Sequence, residues 1–173
     1  MSRNRLLLRR AIEEAEGYKD LGMPEHALRA LERQRSLVQT NGRACFIWGE
    51  TLREMDRYEE ALLPLERSAD LVPDDIHVWL ALGWCYKRIG KLAKAIEALE
   101  HAVEVDPGEA ILHYNLACYW SLARNRVLAL RYLSRALEMD ANFRDMLLHE
   151  PDFLPLRNDR EFLQLTGMSV EES

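Results

Sequence analysis

The side chains able to hold a metal or attack a substrate are few and scattered. The histidines are His26, His77, His101, His113 and His149. No two form an HExxH pair, and His149-Glu150 has no second histidine nearby, so a zinc-hydrolase helix is not encoded. His113 falls in a packing column and reads as a core histidine. Cys45, Cys85 and Cys118 are an odd set with no CxxC spacing. They read as reduced thiols of a cytoplasmic protein, with Cys45 and Cys85 acting as small hydrophobes and Cys118 lacking a basic neighbour to activate it. There is no phosphate-cradling glycine loop, no dinucleotide fingerprint and no GxSxG elbow. Glu13-Glu14 and Glu59-Glu60 read as solvated helix charges. The expectation is a non-enzyme with no metal and no cofactor.

Any function must then rest on a surface, and the composition bounds which kind. The chain has 173 residues, 48% hydrophobic and 30% charged, with 23 Lys and Arg against 29 Asp and Glu and a net charge of −6. That is enough apolar content for a sizeable core, and too few Gly and Pro for a low-complexity chain. A mildly acidic balance gives no general attraction to phosphate backbones or anionic lipid, so neither nucleic acid nor membrane is an expected partner. The basic cluster Arg124-Asn125-Arg126, Arg131 and Arg135 reads as ordinary surface. The start, Met1 to Arg10, has positive charge around Leu6-Leu7-Leu8, but this apolar run is shorter than an export signal requires.

The elements that could build such a surface show as an internal repeat. Windows of 34 residues at 8–41, 42–75, 76–109 and 110–143 align without insertion. Ala27, Ala61, Ala95 and Ala129 share one column, and Leu31, Leu65, Leu99 and Leu133 another. Ala15, Gly49, Gly83 and Ala117 form a small-residue column, followed three residues later by Tyr18, Leu52, Tyr86 and Trp120. Spacings of three, four and seven put the large residues on one helical stripe. Gly90 and Asp106-Pro107 punctuate the third window. Each window is thus a helix, a turn and a second, antiparallel helix. The small columns let the pair approach closely. The pattern predicts helices at about 5–20, 24–38, 42–55, 58–71, 76–89, 92–105, 110–123 and 126–139. Pro64 inside the fourth predicts an irregularity near Glu60.

These columns resemble the tetratricopeptide repeat. The third window carries Trp79-x2-Leu82-Gly83-x2-Tyr86, Gly90, Ala95-x3-Leu99-x2-Ala102 and Pro107. The second carries Trp48-Gly49, Leu52, Ala61, Leu65, Ser68 and Pro73, and the fourth Leu116-Ala117, Trp120, Ala129, Leu133 and Ala136. The fourth departs at Arg124, in the turn-glycine column, and at Ala141, in the proline column. The first is the most divergent, with Glu14 in an apolar column, Gln34 in a small one and Gln39 in the proline column, as suits a terminal cap. The resemblance implies an all-α fold, a right-handed superhelical solenoid of antiparallel helix pairs. Residues 1–7 would extend the first helix. Residues 144–173 would form a capping segment, with one or two short helices at 144–166 and a frayed end at 167–173.

The resemblance also implies a concave groove lined by the first helices. Projecting the periodicity puts Arg43, Phe46, Ile47, Glu50 and Arg53 of the second repeat there. His77, Leu80, Trp84 and Lys87 of the third follow, then Ile111, Tyr114, Asn115 and Cys118 of the fourth. Phe46, Ile47, Leu80, Trp84 and Tyr114 would make an apolar patch with hot-spot aromatics, flanked by Arg43, Arg53, Lys87 and Arg88. The competing account is that these residues simply pack as core. The clamp that some members use for a chaperone's C-terminal carboxylate is absent: its columns hold Ile12, Glu16, Ile47, His77 and Ala81. The expectation is a non-catalytic adaptor or scaffold binding a protein or peptide segment with apolar anchors and an acidic group. A self-associating scaffold, or a dedicated chaperone for secreted or assembling subunits, is the alternative.

Overall fold

The computed structural model describes residues 3–168, and it is helical throughout, with no strand among the described residues. The chain divides into two compact units, Met1–Lys91 and Leu92–Ser173. The first contains α1 (Arg3–Asp20), α2 (Pro24–Glu32), α3 (Arg35–Val38), α4 (Gly42–Glu54), α5 (Tyr58–Leu71) and α6 (Ile76–Arg88). The second contains α7 (Leu92–Val105), α8 (Ala110–Leu122), α9 (Arg126–Met139), α10 (Phe143–Leu147), a 3-10 turn (Pro151–Leu156) and α11 (Arg160–Thr166). The expectation of a frayed end at 167–173 lies, from residue 169 onward, outside the described residues.

In the first unit α1 packs on α2, α4 on α5, and α5 on α6, while α4 also touches α1, α2 and α6. Ala15, Ala27, Leu31, Ala61 and Leu65 are fully buried where these helices meet. The approach of α4 to α5 is close enough to require glycine. A Cβ on Gly49 would lie 2.4 Å from Leu65 Cγ. The Ser68 hydroxyl donates to the Gly42 carbonyl at 2.8 Å and ties the end of α5 to the start of α4. Asn41 and Asp75 cap α4 and α6 by accepting from the backbone N–H of Ala44 and His77 at 2.9 and 3.0 Å. Pro64 does not interrupt α5, which stays helical from Tyr58 to Leu71. Its effect is confined to the Glu60 carbonyl, which loses its helical donor.

The expected helix at 24–38 is instead two pieces. Gln34 leaves the helical region, at φ −120° and ψ 30°, and the chain restarts as the four-residue α3. Gln34 stands in the column that Ser68, Ala102 and Ala136 fill with fully buried small side chains. A glutamine cannot be buried there without stranding its amide, so the helix gives way.

One backbone column repeats through both units. Gly22 (φ 67°), Asp56 (φ 57°), Gly90 (φ 77°) and Arg124 (φ 59°) recur every 34 residues, all left-handed. The hairpin turn demands this conformation of whichever residue occupies the column, glycine or not.

In the second unit α8 packs on α9 and on α7. The tail forms three short pieces where one or two were expected, and the 3-10 turn lies against α8. Tyr114 of α8 stacks on Phe143, with ring centroids 4.7 Å apart, and meets Phe153 edge-on at 5.9 Å. Phe153 continues to Phe162 at 5.5 Å. The Arg157 guanidinium donates to the carbonyls of Leu147 and Leu148, both at 3.1 Å, closing the end of α10. Asp159 caps α11 by accepting from Glu161 and Phe162 N–H. It also pairs with Arg126 of α9, which holds its carboxyl below the usual carboxylate range.

Two substitutions test these constraints by urea unfolding. Gly49→Ala forces Leu65 aside and is expected to cost about 1–3 kcal/mol. Arg124→Gly relieves a left-handed arginine and is expected to stabilise by roughly 1 kcal/mol, net of the extra freedom of the unfolded chain.

Candidate functional site

In the first unit, the projected stripes of α4 and α6 leave a mixed surface. On α4, Arg43 is exposed, Phe46, Glu50 and Arg53 are half-buried, and Ile47 is buried. On α6, His77 is exposed, Leu80 and Lys87 are half-buried, and Trp84 is 43% exposed. The Trp84 ring carries the Lys87 ammonium 5.9 Å from its centroid, a distance at which the ring face still attracts the cation. Trp84 is one of the large apolar side chains that the core does not absorb. Its position, one turn beyond Leu80 on the same stripe, continues an apolar strip along α6.

The flanking cations are less available than their spacing implies. The Arg43 guanidinium donates to Glu16 of α1 at 2.6 Å. Arg53 holds Glu50 through two hydrogen bonds, 2.7 and 2.9 Å. Hydrogen bonding to Glu50 raises the Arg53 pKa above its ordinary value, against the opposing effect of burial. Arg88 lies over the Tyr58 ring, 5.0 Å from its centroid. Arg43 and Arg53 are thus engaged with glutamates from the chain itself.

The α8 members belong to the second unit, and only Ile111 and Asn115 are half-buried. Tyr114 is 1% exposed and Cys118 is buried. This corrects the projected groove lining at three positions. Ile47 and Cys118 are packed inside, and Tyr114 is the centre of the aromatic cap made by Phe143 and Phe153. Nearby, Cys118, Glu150 and Asp152 bring ligand-type atoms within 4.8 Å of one another. Glu150 already serves the cap there, accepting the Asp152 N–H at 3.1 Å. His113 is buried as expected, with Nε2 2.9 Å from the Pro107 carbonyl oxygen.

The projection missed a cavity of about 830 Å³ in the first unit, between α2, α3, α4 and α5. Its signal in the sequence was Gln34 in a small-residue column. No helix of the described residues is long and apolar enough to cross a membrane.

Residues 52–117 match the tetratricopeptide repeat family model. No curated protein matches the chain. Among solved structures, the chain is similar to a crystal structure of MamA, with 25% identity, TM-score 0.74, and coverage of 80% of this chain and 81% of that one. It is similar in fold to MamA from Desulfovibrio magneticus RS-1, with 23% identity, TM-score 0.71, and coverage of 76% and 75%. It is also similar to YrrB, described as a tetratricopeptide repeat protein with an unusual peptide-binding site, with 25% identity, TM-score 0.72, and coverage of 78% and 69%. The family match over residues 52–117 and the likeness to solved structures together show a tetratricopeptide-repeat-like helical fold.

The three thiols give this description a direct check. Cys45, Cys85 and Cys118 are at most 2% exposed. Burial pushes the Cys85 thiol up to about 11 and raises Cys45 as well. Ellman's reagent at pH 8 is expected to find no rapidly reacting thiol in the folded protein, and all three after denaturation.

Proposed function

We propose that the chain is a non-catalytic protein-interaction module that holds a partner segment against the α4–α6 face of its first unit. The single observation that carries this reading is Trp84, 43% exposed on a helix stripe where folding alone calls for a polar residue. Phe46 and Leu80 lie half-buried on the same projected stripes, and they supply depth around the ring. A large aromatic at the centre of a partly apolar face is the usual anchor of a binding energy hot spot. The likeness to YrrB, a protein described as binding peptide, supports the same class of activity. With Arg43 and Arg53 engaged by Glu16 and Glu50, apolar anchoring dominates the proposed recognition. The buried, reduced thiols and the acidic balance suit a cytoplasmic setting.

A second reading, self-association through the tail, has its own observation. Met146, Leu148 and Leu154 are 49%, 55% and 66% exposed within nine residues. Such a concentration of exposed apolar side chains is a contact surface in waiting.

The two readings separate in one set of measurements. A pull-down from the native cell compares wild type with the Trp84→Ala, Phe46→Ala double variant, its fold checked by circular dichroism. Loss of a specific partner by roughly thirtyfold in affinity is expected from a hot-spot anchor. Unchanged partners in a folded double variant would remove the α4–α6 reading. A mass that rises with concentration and falls back in Leu154→Glu would establish the tail contact.

A further inference from the structure

The cavity between α2, α3, α4 and α5 lies on the other side of α4 from Trp84's face. Cys45, Trp48 and Leu52 of α4 form part of its wall, on the helical stripe opposite Phe46, Glu50 and Arg53. It exists because two sequence irregularities face each other. On one side, Gln34 breaks the helix and α3 continues for only four residues. On the other, Pro64 of α5 lines the cavity and leaves the Glu60 carbonyl without a helical donor. A volume of about 830 Å³ falls in the range of cavities that enclose a ligand or a cluster of partner side chains.

The wall is apolar at its centre and charged at its two ends. Trp48, Leu52, Leu63 and Pro64 supply the apolar part, and Leu63 is 64% exposed at the rim. At one end, Arg57 is closed on Glu60 by two hydrogen bonds of 2.7 and 2.6 Å, with Glu32 close enough to act on it. At the other end, and over the Trp48 ring, the cations are underused. The Arg35 guanidinium lies 5.5 Å from the Trp48 ring centroid and makes no ion pair among the described residues. Arg67 donates Nε to the Gln39 carbonyl at 3.2 Å, and its nearest carboxylate, Asp70, is 3.9 Å away. Two guanidiniums with spare donors thus border an apolar hollow, and the carboxylate of an acidic side chain is a group that such planar donor forks match bidentately.

We propose that this cavity is a second docking site, for a segment of a partner protein that seats an apolar side chain between Trp48 and Leu63 and sets a carboxylate against Arg35 and Arg67. The site is independent of the Trp84 face. The Glu60 carbonyl, left without its helical donor by Pro64, offers the segment's backbone an acceptor.

The test uses the full chain and a displayed library of random twelve-residue peptides. Selected peptides are rebound to wild type, Arg35→Glu, Arg67→Glu, Leu63→Glu and Trp84→Ala, each checked for a native circular dichroism spectrum. The expected result is a group carrying an apolar residue with Asp or Glu close by. These peptides bind Trp84→Ala as they bind wild type and lose roughly thirtyfold or more on Arg35→Glu and Leu63→Glu. Should Arg35→Glu fail to fold, Arg67→Glu reads the other arginine of the proposed carboxylate site. Peptides that all depend on Trp84, or none that respond to the cavity variants, would overturn the proposal and leave the Trp84 face standing. A cavity group rich in Lys and Arg would overturn the carboxylate assignment. Self-association abolished by Leu63→Glu would replace the partner segment with a second copy of the chain.

Discussion

The close approach of the two helices within the α1–α2, α4–α5 and α8–α9 hairpins is the constraint from which the other features follow. Where α4 meets α5, Gly49 leaves no room for a methyl group against Leu65, and Ala61 is fully buried one turn before that leucine. The same columns hold Ala15 and Ala27 in the first hairpin, and Ala117 and Ala129 in the α8–α9 pair, all fully buried. Small residues at the crossing bring the backbones together, and the flanking leucines then fill the space on either side. The pairing fixes the turn as well. A short connection between tightly packed antiparallel helices needs a left-handed residue, which is why Asp56 and Arg124 adopt the conformation that Gly22 and Gly90 take easily. The strain is local and the packing outweighs it.

This constraint also decides what remains for function. Each helix has one stripe committed to its partner, so surface chemistry is confined to what the committed stripe leaves over. On α6 the remainder includes Trp84. On α8 little remains, because the tail returns to cover it. Tyr114 would have stood on the surface had the chain stopped at α9; Phe143 and Phe153 turn it into core. The Arg126 bridge to Asp159 and Glu161 sits on the outside of that cover. As an exposed network it contributes little stability by itself. It sets the position of α11, and the buried rings of Phe153 and Phe162 hold it.

How far the sequence could be read follows the same division. The helices, the columns and the turn positions were legible because each depends on neighbours three, four or thirty-four residues away, a periodicity visible in one strand of text. The capping segment was legible as a change of pattern after Asp140, but its number of pieces was not, since Pro151 and Pro155 fix breaks without fixing what lies between them. Burial of Tyr114 was not legible, because the residues that cover it come 29 and 39 positions later. The engagement of Arg43 with Glu16 was missed for a similar reason: the partner lies on another helix, 27 residues earlier. Trp84 lies on a stripe projected outward from the period, and it is 43% exposed.

The first repeat shows why a departure from pattern should not be set aside as a worn copy. Glu14 and Gln34 fit the idea of a repeat with one wet face, and Glu14 does reach Arg33 at 2.5 Å on the outside. Gln34 does something else. By refusing burial, it shortens α2 and turns α3, and the volume that a regular helix would have filled becomes a cavity against Trp48. The protein then has two unlike surfaces on opposite stripes of one helix. One, shared with α6, is defined by an aromatic side chain that projects. The other is defined by space left behind and by arginines that line it. A single helix can serve both because its period separates the stripes by about half a turn. The rigid contact at Gly49 and Leu65 holds α4 in register between them.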